Sequence, residues 1–328
     1  MSQLGTPITV LALNPAVDMT YEVEKLIPDY KVHASKTRFD PGGNGINVAR
    51  CLKRLNISAH CFSVLGGEIG QFLASLLSHH IDTLTIERVA GETRINGTII
   101  ENSPNAQYEV SGIGPHIPET SLQHLIDAFA ASTGQGFGVI TGSIQPDLPR
   151  NLYAQLVERL QQQGAHAIVD AQGELLRVAA RANPYLIKPN QYELEELVGR
   201  SIDGVRDAAV AARKLQQQGI EHICVSLGSE GAVWVDAENS IHAIPPPIKV
   251  NSTVGAGDSM VAGIVAGLAA DTETNQATAH IKSNTIAEIL RLGVACSAGT
   301  VAQPGTELFA NRELAGLKAN VRIEVLDI

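Results

Sequence analysis

Short apolar runs rich in β-branched residues alternate along this chain with stretches of helical spacing, and few folds accommodate that rhythm. The runs fall at residues 8–13, 60–65, 138–141, 167–170, 185–188, 222–226 and 232–235. Helical periodicity occupies 46–55, 121–131, 151–163 and 205–218. Fully apolar strands joined by helices predict a parallel sheet covered on both faces, an α/β fold. Two segments depart from the rhythm, at about 18–39 and 93–111. Stretches such as "MTYEVEKL" and "INGTIIENSPNAQYEVSG" alternate polar with apolar residues and predict small antiparallel strands. They form either a small sheet that lids a cleft or a pair of plain surface hairpins.

At 328 residues the chain can fold as one large unit, 1–328. Hydrophobic content of 44% and charged content of 18% describe a globular protein without a disordered tail. The first apolar run lacks a basic flank and ends at Asn14-Pro15, so it is expected to be a strand and not a signal peptide. No run approaches the roughly 20 apolar residues of a membrane span. The four cysteines stand apart without metal-type spacing, which fits a reducing, cytoplasmic setting. A net charge of −10 argues against nucleic acid and anionic membranes as partners, and a phosphate ligand would need local donors.

The stretch "NSTVGAGDSMVAGIVAGLAA" places Gly255, Ala256, Gly257 and Asp258 at the mouth of an apolar helix. A helix start presents unpaired amides and a partial positive charge, so it suits an anion. Asp258 is either a favourable helix-start charge or a base held beside that anion. The helix is apolar nearly all round, which predicts burial, and a buried carboxylate needs a polar partner such as a sugar hydroxyl. The helix-start amides are expected to hold Asp258 ionised as a weak base, tolerable for a loose phosphoryl-transfer transition state. The chain has no Gly-Lys dipeptide, which excludes a Walker A loop, and no complete G-x-G-x-x-G.

A second glycine cluster, "FDPGGNGINVARCLKRL", runs from a turn into an amphipathic helix and offers bare backbone at Gly42 and Gly43 with Asn47 in the first turn. It is a ligand loop or simply a tight turn. "LNPAVD" ends the first strand with Asp18 near its carboxyl end, where open α/β sheets bind ligands.

"PGGNGINVAR" and "VGAGDSM", with "TGSIQPDLP", "IKPNQYELEELVG" and "VSLGSEGAVWV" between them in order, resemble the signatures of the PfkB (ribokinase-like) carbohydrate kinases. The likeness runs from Ile8 to about Gly305, and is nearest to the kinases of phosphorylated hexoses. It implies a ribokinase-like, Rossmann-type three-layer sandwich with a small β-sheet lid that serves as a homodimer interface. It makes Asp258 the base and the amides of Gly255, Ala256 and Gly257 the anion hole. Asp18, Gly43 and Asn47 would hold sugar hydroxyls, and Lys31, Arg94 and Ser143 the sugar's own phosphate. Lys188, Asn190 and Glu193 of "KPNQYE" would serve Mg-ATP, with Glu193 reaching Mg²⁺ through water. Ser226 and Gly228 match nucleotide-contacting positions, and Ser252 with the Val254 carbonyl matches a K⁺ site.

Three positions depart from the pattern. Asn44 stands where the 1-phosphofructokinase and tagatose-6-phosphate branches show lysine and the minor 6-phosphofructokinases glycine. Gln145 replaces a proline, and Glu307 a basic residue. The resemblance implies a 6-phosphofructokinase, with 1-phosphofructokinase or tagatose-6-phosphate kinase as alternatives. A ribose or nucleoside kinase would lack Lys31 and Arg94, and a silent sugar-phosphate binding protein would lack the base, anion hole or metal motif.

Overall fold

The computed structural model describes residues 5–274 and 281–328. The chain opens with β1 (Ile8–Ala12), leaves the main layer for β2 (Ala16–Val23) and β3 (Lys36–Gly42), and returns through α1 (Asn44–Arg54). β4 (His60–Gly66), α2 (Gly67–Leu77) and β5 (Thr83–Val89) follow, then a second excursion makes β6 (Arg94–Glu101) and β7 (Ala106–Val110). Alternation resumes with α3 (Glu119–Thr133), β8 (Phe137–Thr141), α4 (Leu152–Gln162), β9 (His166–Asp170), α5 (Gly173–Ala180) and β10 (Leu186–Ile187). Next come α6 (Gln191–Val198), α7 (Gly204–Gln216), β11 (His222–Ser226), β12 (Ala232–Val235) and β13 (Ser240–Ile244). α8 (Ala256–Thr274), α9 (Ser283–Val301), α10 (Asn311–Ala319) and β14 (Arg322–Val325) complete the order.

Among the described residues, ten strands form one sheet in the order β14-β13-β12-β11-β10-β9-β8-β1-β4-β5. Successive residues of a strand point to opposite faces, and the core divides accordingly. Val10 joins Leu52, Ile264 and Leu290 under α1, α8 and α9. Its neighbour Leu11 joins Phe129, Tyr153 and Val157 under α3 and α4. Strands buried on both faces are almost wholly apolar, as "ITVLA" and "FGVIT" are apart from the buried hydroxyls of Thr9 and Thr141. The result is a three-layer α/β sandwich. Helix α8 is buried without a break from Asp258 to Ala266, as its all-round apolar character requires.

The sheet is parallel from β5 to β11, but β12, β13 and β14 add to it antiparallel. This corrects the expectation of a wholly parallel sheet. The link from β11 to β12 spans only residues 227–231, where Leu227 N donates to Gly231 O at 2.8 Å. A parallel return needs a crossover of a dozen or more residues, so this link can only make a hairpin. β10 is also shorter than the expected 185–188, because Pro189 has no amide to extend the ladder.

At the amino ends of the strands a row of rings crosses the sheet. Phe137, His166, Tyr185, His222 and Trp234 follow one another at centroid separations of 5.3, 4.2, 4.7 and 5.0 Å. Trp234 is wholly buried and donates from Nε1 to Asp236 Oδ2 at 3.0 Å. The opposite, carboxyl edge carries Asn14, Ser143, Asp170 and Lys188 just at or after their strands. β1 lies between β4 and β8, so the chain order reverses there and the carboxyl edge opens into a crevice.

The four remaining strands form a smaller sheet, β3-β2-β6-β7, whose strands come from the two segments that break the sequence rhythm. β2 pairs antiparallel with β3 but parallel with β6, residue 18 opposite both Asp40 and Asn96. Among the described residues no helix is long and apolar enough to cross a membrane.

Candidate active site

The crevice holds two adjoining cavities, of about 1130 and 550 Å³. Asp258, Asn44, Gly255, Asp170 and Glu193 line both, so these residues form the shared wall. Gly255, with φ of 76°, turns the chain into α8 through a conformation that a side chain would strain. With Ala256 and Gly257 it brings the helix start to the larger cavity. A Cβ on Gly257 would lie 3.4 Å from Lys188 Nζ, in ordinary contact, so the ammonium stands beside the helix start.

Asp258 is 4% exposed, and both its oxygens are held from α1. Asn44 Nδ2 donates to Oδ1 and Asn47 Nδ2 to Oδ2, each at 2.9 Å. Asn47 is oriented in turn by Arg50, whose Nη1 donates to Asn47 Oδ1 at 3.1 Å and to the Pro41 carbonyl at 2.7 Å. Gly43, with φ of 98°, makes the turn that lets α1 begin here. Burial, reinforced by the charge of Asp170, pushes Asp258 up to about 6, against the pull of Asn47, Asn44 and Lys188. The expectation that helix-start amides dominate its proton affinity is thereby reversed, because desolvation is the larger effect. At neutral pH the group is still mostly ionised.

Lys188 Nζ lies 3.1 Å from Asp170 Oδ1, and both side chains are almost out of solvent. Burial disfavours the ammonium, but Asp170, with Glu193 and Cys224 adding to it, more than offsets this and holds Lys188 above its ordinary value. Asn190 and Glu193 form a capping box at the start of α6. Asn190 Oδ1 accepts from the Glu193 amide at 2.8 Å, and Glu193 Oε2 from the Asn190 amide at 2.9 Å. The N-x-x-E spacing thus has a local structural use, and Glu193 also faces the cavities. Burial raises its proton affinity. Ser226 and Gly228 line the larger cavity with Lys188, Asn190 and the stretch from Ile244 to Ile248, which contains three prolines.

The smaller cavity gathers Asp18, Gly43, Asn47, Arg94 and Ser143. Asp18 Oδ1 accepts from Asn96 Nδ2 at 2.8 Å across the β2–β6 pair, and burial pushes Asp18 up to about 6. Arg94 donates from Nε and Nη2 to the Asn14 carbonyl at 3.1 and 2.7 Å, and Asn14 Nδ2 donates to Ser143 Oγ at 3.0 Å. "LNPAVD" therefore anchors the arginine as well as supplying Asp18. Lys31 is exposed on the connection between β2 and β3 and lines neither cavity of the single chain. Ser252 Oγ accepts from the Val254 amide at 3.2 Å, its own amide donates to Val301 O at 3.3 Å, and Val254 lines the smaller cavity.

Several cavity residues lay outside the sequence reading. Asp170 ends an expected strand at the carboxyl edge, where the rule that singles out Asp18 does apply; Asp18 itself, expected at the end of the first strand, instead lies inside β2 of the small sheet, because the chain leaves the main layer right after Pro15. Asn96 and Arg150 also line the smaller cavity, and Arg150 adds a second cation there.

Residues 10–312 match the family model described as pfkB family carbohydrate kinase. The chain is 33% identical over 313 residues to 1-phosphofructokinase of Bacillus subtilis, covering 95% of this chain and 98% of that one. It is 34% identical over 304 residues to ATP-dependent 6-phosphofructokinase isozyme 2 of Escherichia coli, covering 92% and 94%. The crystal structure of phosphofructokinase-2 from Escherichia coli in complex with potassium superposes with a TM-score of 0.87 at 33% identity, over 96% and 98% of the two chains. Two cavities joined at a helix-start aspartate, and a match running nearly end to end, make this chain a member of the pfkB family of carbohydrate kinases, an ATP-dependent phosphotransferase acting on an alcohol.

Proposed function

We propose that the protein is a sugar-phosphate kinase that converts fructose 6-phosphate and ATP to fructose 1,6-bisphosphate and ADP, with Asp258 as base. The observation that carries this reading is one buried carboxylate, beside a helix start, in the wall between two cavities. The larger cavity suits ATP and the smaller one the sugar phosphate. Asp18, Asn47 and the Gly43 backbone hold hydroxyls, while Arg94 and Ser143 grip the phosphate. Lys31 joins them only if a second subunit carries it to the cavity. The acceptor oxygen bonds to the γ-phosphorus as the bond to the bridging oxygen breaks, ADP leaves, and the hydroxyl proton passes to Asp258. The amides of Gly255, Ala256 and Gly257, with Lys188, meet the charge on the transferring group.

No three His, Cys, Asp or Glu side chains among the described residues are grouped to hold a metal. Mg²⁺ needs no such cluster, since it takes few protein ligands and completes its shell with water and phosphate oxygens. Glu193 and Asn190 would hold it, and the ion would neutralise phosphate charge. K⁺ at Ser252 and the Val254 carbonyl is proposed by analogy with the Escherichia coli structure in complex with potassium. We take 1–328 to act as a single kinase unit in the cytoplasm, its four free cysteines all buried. The small sheet is read as a lid and homodimer face, since Phe39, Ile95, Tyr108 and Val110 expose apolar surface on it.

The Bacillus subtilis relative favours a second reading, 1-phosphofructokinase, in which the sugar lies the other way round. Comparing kcat/KM with Mg-ATP for fructose 6-phosphate, fructose 1-phosphate, tagatose 6-phosphate and fructose decides between them. A preference for fructose 6-phosphate supports the first reading and for fructose 1-phosphate the second. Equal use of unphosphorylated fructose overturns the substrate class.

A further inference from the structure

Asn44 is the first residue of α1, lines both cavities and lies 214 residues from the carboxylate it touches. Its amide is confined on two sides. Toward Asp258, Nδ2 donates to Oδ1 at 2.9 Å. Toward β8, Gly142 leaves the space it needs, since a Cβ there would sit 3.0 Å from Asn44 Oδ1. An ionised carboxylate only accepts, so the Nδ2 side must face Asp258. The side chain is thus held between a glycine and a charge.

We propose that Asn44 is a positioning residue for the base: with Asn47 it makes a two-amide clamp that fixes the plane of the Asp258 carboxylate and keeps it unprotonated. The proposal rests on the reading of Asp258 as base. A carboxylate offers about four lone-pair sites. Each amide takes one, on a different oxygen, so the group cannot rotate and still has a site for the acceptor hydroxyl. Donors to the charged form favour that form. They are needed because the surroundings oppose it. Asp170 faces Asp258 from β9 and Glu193 lies across the shared wall from α6. The Cys51 thiol of α1 adds no charge, since burial pushes it up to about 12. Lys188, after β10, is the nearby cation, and it is paired with Asp170. Arg50 acts one step back, through Asn47. The clamp therefore supplies the two direct donors to the base.

The test uses wild type, Asn44→Ala, Asn44→Asp and Asp258→Asn as full-length proteins, with circular dichroism to establish folding. Two readouts are taken: the pH profile of kcat/KM for the preferred sugar phosphate, and a ¹³C-carboxyl NMR titration of the ligand-free protein. The Asp258 signal is assigned by its loss in Asp258→Asn. Losing one hydrogen bond to a charge should move the Asp258 midpoint, and the acid limb of the profile, upward by about one to two pH units in Asn44→Ala. Asn44→Asp keeps the shape but sets a like charge against the base, and should move it further. Should Asn44→Ala fail to fold, Asn44→Leu, close in size and without a donor, replaces it, since the new charge of Asn44→Asp would raise the midpoint by itself. Unchanged midpoints in the folded variants overturn the clamp. Wild-type turnover by Asp258→Asn overturns the base assignment instead, and the NMR titration still decides the clamp.

Discussion

Asp18 and Asp258 face the smaller cavity from opposite layers, one on the small sheet and the other at the start of α8. Both are buried, both accept from asparagine amides, and burial pushes both up to about 6. Their company differs. Asp258 has an amide on each oxygen and stands near the Lys188–Asp170 pair beside the helix start. Asp18 has one amide, from Asn96, with Arg94 as the nearest cation acting on it. A similarly raised proton affinity thus arises in two settings: one carboxylate has both oxygens held beside the helix start, where we propose phosphoryl transfer, and the other has one held, which on the proposed reading leaves an oxygen for a sugar hydroxyl. Proton affinity alone does not distinguish a base from a binding group; the neighbours do.

The sharpest way to break this comparison is to neutralise each carboxylate. Asp258→Asn should lower kcat by about 10²–10⁴-fold, the usual worth of a positioned base, while ATP binding by calorimetry is retained. Asp18→Asn should act mainly through KM for the sugar, because it removes a binding contact. If the two variants lose kcat alike, the division of labour is wrong. Next in size is Arg94→Ala, which should raise KM for the sugar phosphate on the order of 10–100-fold, the worth of a hydrogen bond to a charge. The preference over unphosphorylated sugar should fall with it, and steady-state kinetics on both acceptors would reveal a mere surface charge by no change.

The paired values near 6 also sharpen the comparison through pH. If both groups must be ionised, kcat/KM should fall below about pH 6 with a slope approaching two protons. In Asp18→Asn the slope should drop toward one. The smallest effect is on stability. A carboxylate whose folded value is raised contributes stability below its ordinary 3.8 that is lost as pH rises through about 6. For Asp18 the loss is about 3 kcal/mol as an upper bound. Asp18→Asn should therefore melt a few degrees above wild type near pH 8 and lose that advantage near pH 3.

Much of this architecture was legible because its signals are local. A strand buried on both faces is mostly apolar, and the seven runs that stand out in the sequence for that reason all lie in the main sheet. β5, β13 and β14 escaped. "TLTIERV" is a half-covered edge strand and "SIHAI" interleaves the polar Ser240 and His242, so neither carries the unbroken apolar run that marks a central strand. α9, in "SNTIAEILRLGVACSAGTV", mixes small and apolar residues on several faces because it packs against α8, β13 and α10 together, which blurs a single stripe. At the site, glycine turns and N-x-x-E spacing belong to short stretches of chain. The contacts of Asn44 and Asn96 are long-range, set by how layers and strands meet, and no periodicity encodes them.

The row of rings at the far edge of the sheet has a practical consequence. Trp234 is the only tryptophan of the chain, is wholly buried, and ends that row on the antiparallel side. It lines neither cavity. The protein therefore carries a built-in fluorophore that is blind to ligand contact and shielded from aqueous quenchers. Its emission should stay blue-shifted while substrates come and go, and move red only when the antiparallel end of the sheet around β12 opens.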